Sequence, residues 1–588
     1  MKRKYINNIL ACCAVAWGFS ACTDVWDEHY QANKPIEGQT ANADNNLWEL
    51  ISNDGELSEF AALLRATGYD TLLTKNRTYT VWAPADGSGF IDTALLVNAK
   101  KNELEVYKKE IIENHIAHFI HSAGGVRDKE DKKNYEKVEM INLKKYDFEG
   151  APSKDYTFAG QSLKASNIVA KNGMLHKLDK SVDFAANIWE QLAKVSEVSM
   201  LWEFLEKDFK KEFDETQSVQ GPIKDGQVTW LDSIFREDCR WFREIGWLDR
   251  EDSSYTMYAM TNEAWNKMYE MTMPYFVYPE GMKTLPAKGE LNAEEAADSI
   301  VKELMVRNLV FSNTINKKYF DGKSDTLRST RGQIFDFDEA RALSDASING
   351  FVKEFTLSNG TLNIVDQINY NPFTCWHDTL RVEGESLSDA DEERLGFAKV
   401  NKSIESIHRD SLLYDSISGH ALGIYKAHAG LTNPEFNFYV NNVLSAWYRI
   451  KIVLLPPQIV DPSDTLFIKP NKFEARLYRG GTIIQRLGDV WTNNVEKIDT
   501  IVLAEAIHIP VCEYDLKNLS GETPGLRLNI LSCMEPGTGN RNKKDFYSTK
   551  NEANWKYDND YRIDQVIFEP IEAPEETPDV PTDEPVGE

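Results

Sequence analysis

Apolar positions in the first two thirds of the chain alternate between helical and strand periods. Over residues 104–118 they recur every three or four residues, which predicts an amphipathic helix that carries His115. Residues 79–82 form a short apolar run that ends in a turn at Pro84, which predicts a strand. Mixed periods of this kind predict α+β domains.

From residue 397 to 570 the pattern changes to short apolar and aromatic runs separated by Gly, Pro, Asn and Asp. The predicted strands are 436–440, 448–455, 482–487, 497–503, 526–531 and 561–568. Long helical periods are missing, so we expect an all-β sandwich of the jelly-roll type. The acidic stretch 383–393 predicts a linker over 378–396 in front of it.

Two sequence boxes occur twice and in the same order. Residues 79–86, YTVWAPAD, resemble 255–262, YTMYAMTN, and residues 168–179 resemble 355–366. The second box holds an Asn-Gly pair flanked by alternating apolar residues, which predicts a hairpin whose two central residues have positive φ. The repeat predicts two copies of one domain, with an insertion in the second.

These boxes resemble the fasciclin domain family, whose members open with a Thr-Val-Phe-Ala-Pro-like strand and close with Asn-Gly-x-x-His-x-x-Asp. The first copy, 46–186, matches at Val81, Trp82, Ala83, Pro84, His115, Asn172, Gly173, His176 and Asp179. The second, 187–377, keeps Asn359, Gly360 and Asp366 but has Met260 in place of the proline and Asn363 in place of the last histidine. The resemblance implies adhesion or extracellular binding without a general catalytic centre. We expect His176 and Asp179 to pin the hairpin by hydrogen bonds.

The N-terminus has the pattern of an export signal. Basic residues at 2–4 precede an apolar stretch at 9–19 and the sequence Phe19-Ser20-Ala21-Cys22. We expect a lipoprotein signal peptide over 1–21, acylation of Cys22 and a tether over 22–45; the alternative is an ordinary cleaved signal. The arrangement of anchor, fasciclin pair and sandwich resembles lipoproteins that Gram-negative bacteria place beside glycan-uptake machinery. This implies a lipid anchor in the outer membrane, a site facing the cell exterior, and neighbouring glycan-uptake proteins as partners.

Charge and cysteine content narrow the classes of function. The 588 residues carry 66 basic and 93 acidic side chains, a net charge of −27, which disfavours nucleic acid as a partner. No Cys-x-x-Cys pair is present among the seven cysteines, which excludes zinc ribbons and thioredoxin-like centres. Cys512 and Cys533 are either a disulfide or two buried thiols. The proline-rich acidic stretch 571–588 predicts a disordered tail.

The sequence contains none of the common catalytic or metal-binding motifs considered next. There is no phosphate loop, no His-Glu-x-x-His helix and no Gly-x-Ser-x-Gly elbow. His115, His118 and His121 lie near one face of the predicted helix, but no further ligand completes a zinc set, so we expect neither metal nor cofactor there. Asp558, Asn559 and Asp560 form an oxygen-rich patch in which Asp558 and Asp560 are candidate Ca²⁺ ligands, but the spacing is not that of an EF-hand and a solvated turn is favoured. We therefore expect a protein that is not an enzyme; the alternative is a glycoside hydrolase with its two carboxylates in the sandwich.

Aromatic residues beside amides are the candidates for ligand binding, because sugar rings stack on aromatic faces while polar neighbours orient the hydroxyls. Trp491 precedes Asn493 and Asn494 in a predicted polar loop, and Trp555 and Tyr557 precede the Asp558–Asp560 patch. We expect these rings to bind a glycan or protein ligand. The alternative is that they close the ends of the sandwich core.

Overall fold

The computed structural model describes residues 44–574 apart from 90–98, 125–133, 151–155, 217, 225–226, 233–234, 279–291, 369–370, 386–399, 408, 410–412, 428–434, 457–468, 515–524, 533–556 and 559. Two compact units divide this part of the chain. The first contains the described residues up to Lys194 with Trp247–Tyr255 and Phe355–Leu362; the second contains Val195–Gly246, Thr256–Glu354 and the residues from Asn363 onward. The predicted boundary between 186 and 187 therefore does not coincide with a boundary between compact units.

The region up to residue 186 is a mixed α+β domain. Its elements are α1 Leu47–Ser52, α2 Ser58–Thr67, α3 Tyr69–Leu72, β1 Tyr79–Pro84, α4 Lys101–Tyr107, β2 Ile116–His118, β3 Asn134–Glu139, β4 Lys145–Gly150, β5 Thr157–Phe158, β6 Gln161–Ala170 and β7 Gly173–Leu178. The strands form a seven-stranded sheet in the order β2-β1-β7-β6-β5-β4-β3. Only the β1–β7 pair is parallel among the described strands of this sheet.

Strand β1 is buried on both faces, which explains why its sequence is apolar without alternation. Val81 packs with Phe60 in one core, which holds the helices, whereas Trp82 points into a second core on the opposite face. There the indole stacks on Phe158 with ring centroids 4.3 Å apart. The strand predicted at 79–82 thus lies at the centre of the domain.

The helix predicted over 104–118 is wrong in its second half. Helix α4 is followed by a π-helical turn, Lys108–Ile112, and the chain then enters strand β2. His115 lies in the turn between them, His118 lies on the strand and His121 lies beyond it. The three imidazoles therefore do not share a helix face, because a strand directs successive side chains to opposite sides.

The next region alternates short helices with short strands. Its elements are α5 Ile188–Leu192, α6 Ser199–Glu206, β8 Phe209–Phe213, β9 Val219–Lys224, β10 Gln227–Asp232, β11 Phe235–Cys239, α7 Arg240–Glu244, β12 Tyr255–Met260, α8 Asn262–Thr272, α9 Ala293–Val306, β13 Val310–Ser312, α10 Lys317–Phe320, β14 Leu327–Arg328, β15 Ile334–Phe335, α11 Phe337–Ser344, β16 Phe351–Leu357, β17 Gly360–Val365 and α12 Pro372–Cys375. A four-stranded sheet has the order β13-β12-β17-β16, and three two-stranded sheets pair β8 with β11, β9 with β10, and β14 with β15.

The C-terminal region is largely β and was predicted as such. Its strands are β18 Leu380–Glu383, β19 Val400–Ser406, β20 Ala421–Ala427, β21 Glu435–Val440, β22 Ala446–Leu454, β23 Lys472–Arg479, β24 Thr482–Thr492, β25 Asp499–Ile509, β26 Leu526–Ser532 and β27 Tyr561–Ile571. One sheet has the order β19-β20-β27-β22-β25 with β18 also paired to β27, and a four-stranded sheet has the order β21-β26-β23-β24. The predicted linker 378–396 is therefore wrong at 380–383, where a strand pairs with β27 in register Leu380 to Phe568.

Aromatic rings from the two C-terminal sheets meet in one core. Tyr425 of β20 stacks on Phe436 of β21 with centroids 4.3 Å apart, and Phe436 lies edge-on to Tyr561 of β27. All three side chains are buried. In the part of the chain that the structure describes, no helix is long and apolar enough to span a membrane.

Candidate functional site

Asn172 and Asn359 make the same set of hydrogen bonds in the two repeated boxes. Asn172 Oδ1 accepts from the backbone N–H of Leu47, and its Nδ2 donates to the carbonyls of Leu73 and Lys75 at 2.7 and 3.0 Å. Asn359 Oδ1 likewise accepts from the N–H of Ile188, and its Nδ2 donates to the carbonyls of Leu248 and Arg250 at 2.8 and 3.0 Å. Each amide thereby ties a helix N-terminus and a loop to the start of a strand.

The glycine after each asparagine is required by close approach of the backbone. A Cβ at Gly173 would collide with the carbonyl oxygen of Tyr79, and one at Gly360 would collide with that of Tyr255. The expected pair of central residues with positive φ is wrong, since Gly173 has φ 156° and already pairs with Ala170 across the hairpin, while Asn172 has no positive φ. The turn residues are Lys171 and Asn172.

The two histidines of the fasciclin motif in the first copy, His115 and His176, are buried structural groups. His115 Nδ1 donates to the carbonyl of Ile111, and its Nε2 accepts from the N–H of Val182 at 3.0 Å. His176 Nε2 donates to the carbonyl of His121, and its ring stacks on Trp82. Burial lowers the pKa of both imidazoles to about 4, so both are neutral near pH 7.

Asp179 and Asp366, the last residues of the two copies of the second box, make backbone hydrogen bonds. The side chain of Asp179 is exposed, and its N–H donates to the carbonyl of Ser162 at 3.1 Å. The side chain of Asp366 is also exposed, and its N–H donates to the carbonyl of Gly350 at 3.0 Å. The expected side-chain role of Asp179 in pinning the hairpin is therefore replaced by a backbone hydrogen bond.

The predicted loop around Trp491 is the end of a strand. Trp491 lies in β24, is half-buried, and donates from Nε1 to the carbonyl of Leu487 at 3.1 Å. Its ring packs on Gly488, where an added Cβ would lie 2.8 Å from Trp491 Cζ2. Asn494 is exposed and accepts from the N–H of Glu496 within its own turn.

Asn471 was not among the residues predicted from the sequence. It connects the segment around Asn493 with the segment around Asp558, which hold the two predicted groups of ligand-binding residues. Its N–H donates to Asn493 Oδ1 at 2.6 Å, and its Nδ2 donates to the carbonyls of Asp558 and Asp560. The ring of Tyr557 lies 5.2 Å from the ammonium group of the next residue, Lys472. Asn493 is thus a buried acceptor for the backbone, and Trp555 lies outside the described residues.

The Asp558 carboxylate is already held by protein donors. Its Oδ1 accepts from the N–H of Asp560, and its Oδ2 accepts from Arg562 Nη1 at 3.1 Å. Among the described residues no group of three or more His, Cys, Asp or Glu side chains is arranged to hold a metal ion. The assignment of Asp558 and Asp560 as Ca²⁺ ligands therefore stays a prediction. A Ca²⁺ ion would have to compete with Arg562 for the Asp558 carboxylate.

A polar face of the four-stranded C-terminal sheet is the strongest candidate for ligand binding. Strands β21, β26 and β23 lie side by side, and their register aligns side chains of this face in three rows. The rows, each given in the order β21, β26, β23, are Tyr439–Arg527–Tyr478, Asn437–Asn529–Arg476 and Glu435–Leu531–Glu474. The second row continues to Arg486 of β24. The alternate residues of these strands, including Phe438, Leu477 and Leu528, are buried in the core.

The floor of this face is built from fixed polar groups. Asn529 Nδ2 donates to Asn437 Oδ1 at 2.9 Å, and the Arg527 guanidinium lies 4.5 Å from the Tyr478 ring centroid. Asn529 is 2% exposed, and its Oδ1 has no hydrogen-bond partner among the described residues. An unused buried acceptor is costly, and this oxygen is shielded from solvent in the structure.

A cleft of about 290 Å³ opens over one edge of the polar face. It is lined by Glu474, Ala475, Arg476, Arg486 and Gly488. Arg476 Nη2 donates to Glu474 Oε2 at 2.7 Å, and Arg486 is exposed. Because Trp491 packs on Gly488, one residue of the predicted ligand set borders this cleft.

Three strands carry a sequence signal for the polar face. In EFNFYV, FEARLY and LRLNIL the polar positions alternate with apolar ones, and they carry Asn, Arg, Tyr and Glu. The rows become visible only once strand register is known, since register decides which side chains are neighbours.

A second polar cluster lies where β18 meets β27. Asp564 is 1% exposed and accepts from the N–H of Ser418 at 2.9 Å, and the Ser418 hydroxyl donates to Glu383 Oε1. Burial, with Glu383 and Glu385 nearby, raises the pKa of Asp564 to about 7. This carboxyl therefore gains or loses its proton near neutral pH.

Comparison with known proteins identifies one domain. Residues 55–182 match the model of the fasciclin domain, within the predicted first copy. No curated protein matches the chain. The prediction of a fasciclin domain near the N-terminus is confirmed, and a domain of this family is linked to adhesion.

Solved structures give weak likenesses. A FAS1 domain pair from the insect cell adhesion molecule Fasciclin I is 12% identical, covers 55% of this chain and 99% of its own, and has a TM-score of 0.20. An exo-beta-1,3-galactanase from Phanerochaete chrysosporium with galactose is 10% identical, with 32% of this chain and 29% of its own covered and a TM-score of 0.16. A cycloisomaltooligosaccharide glucanotransferase from Paenibacillus sp. is 12% identical, with 73% of this chain and 64% of its own covered and a TM-score of 0.16. Likenesses at these scores decide nothing about this chain.

Proposed function

We propose that the protein is a non-catalytic, lipid-anchored surface protein that binds an extracellular glycan on the polar face of its C-terminal four-stranded sheet. The observation that carries the proposal is the three-row arrangement of Tyr, Arg, Asn and Glu side chains around the buried, unused acceptor of Asn529. The fasciclin domain at 55–182 supports a role in adhesion beside it.

Sugar recognition fits the chemistry of this face. Pyranose rings present apolar C–H surfaces, which aromatic side chains such as Tyr439 and Tyr478 can contact. Hydroxyl groups pair with guanidinium groups and carboxylates, and the Arg476–Glu474 pair and the exposed Arg486 supply these beside the buried Asn437–Asn529 pair. Trp491 adds a ring at the border of the cleft.

We further propose a second fasciclin domain, a C-terminal sandwich and a lipid anchor. Residues 187–377 are a divergent second fasciclin domain, supported by the matched hydrogen bonds of Asn172 and Asn359 and by the matched clash at Gly173 and Gly360. The two C-terminal sheets form a sandwich, supported by the stacking of Tyr425 on Phe436. Acylation of Cys22, which lies outside the described residues, is supported by the signal pattern.

A glycan array with the soluble chain from residue 23 onward, followed by product analysis of each bound glycan, tests the proposal. Binding without change of the glycan is the expected result. Cleavage would favour the glycoside hydrolase instead, and absence of any bound glycan would contradict the proposal. A Cys22→Ser variant tests the anchor, because it should move the full chain from the membrane fraction to the soluble one.

A further inference from the structure

Two adjoining clefts in the second compact unit share a basic centre. Their volumes are about 250 and 230 Å³, and the residues that line both are Arg307, Arg331, Asn442 and Tyr514. Arg307 follows helix α9 and is half-buried, whereas Arg331 lies in the turn between β14 and β15 and is exposed. The polar sheet face shares none of these residues.

Three acidic side chains also line the clefts, and two of them lie within 4.0 Å of Arg240. Glu303 accepts from Arg240 Nη1 at 2.8 Å, and Glu244 lies 4.0 Å from Arg240 Nε. Both line only the first cleft, and Asp378 lines only the second. Within the described part of the chain, neither Arg307 nor Arg331 has a carboxylate within 4.0 Å.

The chain has 93 acidic and 66 basic residues, yet neither of these two arginines forms an ion pair with a carboxylate among the described residues. The indole Nε1 of Trp241, a residue 1% exposed that lines the first cleft, also lacks an acceptor among the described residues. The half-buried ring of Tyr514 forms a wall of both clefts. The four residues shared by both clefts therefore include two cations and an aromatic ring but no carboxylate.

We propose that this basic centre binds a sugar ring that carries an anionic group, either a carboxylate or a sulfate. The planar guanidinium fork matches both groups in geometry and charge, and two such forks from Arg307 and Arg331 would hold one anion. The ring of the ligand would lie on Tyr514. The site goes beyond the proposed function, because it is separate from the polar face and selects for charge.

Titration calorimetry on the full-length chain tests this inference with D-glucuronate, D-glucose 6-sulfate and uncharged D-glucose as probes. At least one anionic probe should bind, and the pair identifies which anion is preferred. Affinity should fall at least tenfold in the double variant Arg307→Gln, Arg331→Gln and should also fall with added salt. The single variant Arg331→Gln, at an exposed position, should lose affinity threefold or more without loss of fold.

Arg328→Gln is the matched control, because Arg328 is an exposed neighbour that does not line either cleft. It should bind as the unaltered chain does. The inference is overturned if neither anion binds, if D-glucose binds as tightly, or if the two cleft variants bind unchanged. This inference can fail or hold independently of the proposed glycan site on the polar face. Arg486→Ala changes the polar face but leaves these two clefts intact, so it should not alter binding of the anionic probe.

Discussion

Lys144 is buried against Glu251, with its ammonium nitrogen 2.5 Å from the Glu251 carboxylate. The lysine side chain is 1% exposed, and the same nitrogen lies 2.8 Å from Glu190 and 3.3 Å from the Ser358 hydroxyl. These four residues come from distant parts of the sequence and meet in the first compact unit. Burial alone would raise the pKa of Glu190, but Lys109 and Lys144 hold it below its ordinary value.

Removing the Lys144 charge should destabilise this unit. Lys144→Met leaves Glu251 buried without its cation, and breaking a buried pair in this way costs about 3–5 kcal/mol. Chemical denaturation followed by tryptophan fluorescence measures the loss. Lys145→Met is the control, since Lys145 is exposed and its pair with Glu139 is a surface contact worth under about 1 kcal/mol. Equal effects of the two substitutions would contradict the assignment.

Substitution of either asparagine of the repeat, Asn172 or Asn359, should lower the free energy of unfolding by a similar amount. Asn172→Ala and Asn359→Ala each remove a buried amide and leave one N–H and two carbonyls without their partners, which should cost about 2–4 kcal/mol. Lys171→Ala, at the exposed neighbour in the same turn, should have little effect. A large loss at Asn172 with none at Asn359, measured by denaturation, would argue against a second copy of the domain.

Gly173 should tolerate no side chain. Gly173→Ala places a Cβ against the Tyr79 carbonyl at φ 156°, so the strands β1 and β7 must separate. We expect a loss of a few kcal/mol by analogy with other strained backbone sites. Gly55→Ala is the control, because a Cβ there meets nothing within 4 Å. Equal melting temperatures for the two variants would show that the close approach is absent in solution.

Asp564 should make stability depend on pH. Its folded pKa of about 7 lies above the ordinary 3.8, so the folded state holds the proton more tightly. The stabilisation is therefore complete below about pH 4 and is lost as pH rises to about 7. Asp564→Asn keeps an acceptor for Ser418 and should be more stable than the unaltered chain at pH 8. The exposed Asp415→Asn serves as control, and identical pH profiles for all three proteins would refute the burial argument.

Sequence patterns predicted the fasciclin domain and most C-terminal strands because these depend on local periodicity and on turn residues. The strand at 380–383 was missed because it is short and half-polar, and its partner in β27 is distant in sequence. The helix at 104–118 was overextended because Ile116 continues the helical period, although tertiary pairing with β1 places it in a strand. The polar face and the Asn471 junction depend on register between strands, which no single segment encodes.

The most direct test of the account measures glycan binding at the polar face by calorimetry, with a glycan identified on the array. Arg486→Ala and Tyr478→Ala should each weaken binding at least tenfold, and Trp491→Ala should weaken it less, because its ring only borders the cleft. Gln485→Ala, at the adjacent exposed position on the opposite side of β24, should bind as the unaltered chain does. Unchanged affinity in folded Arg486→Ala and Tyr478→Ala proteins would contradict the central claim and move the search to the fasciclin region.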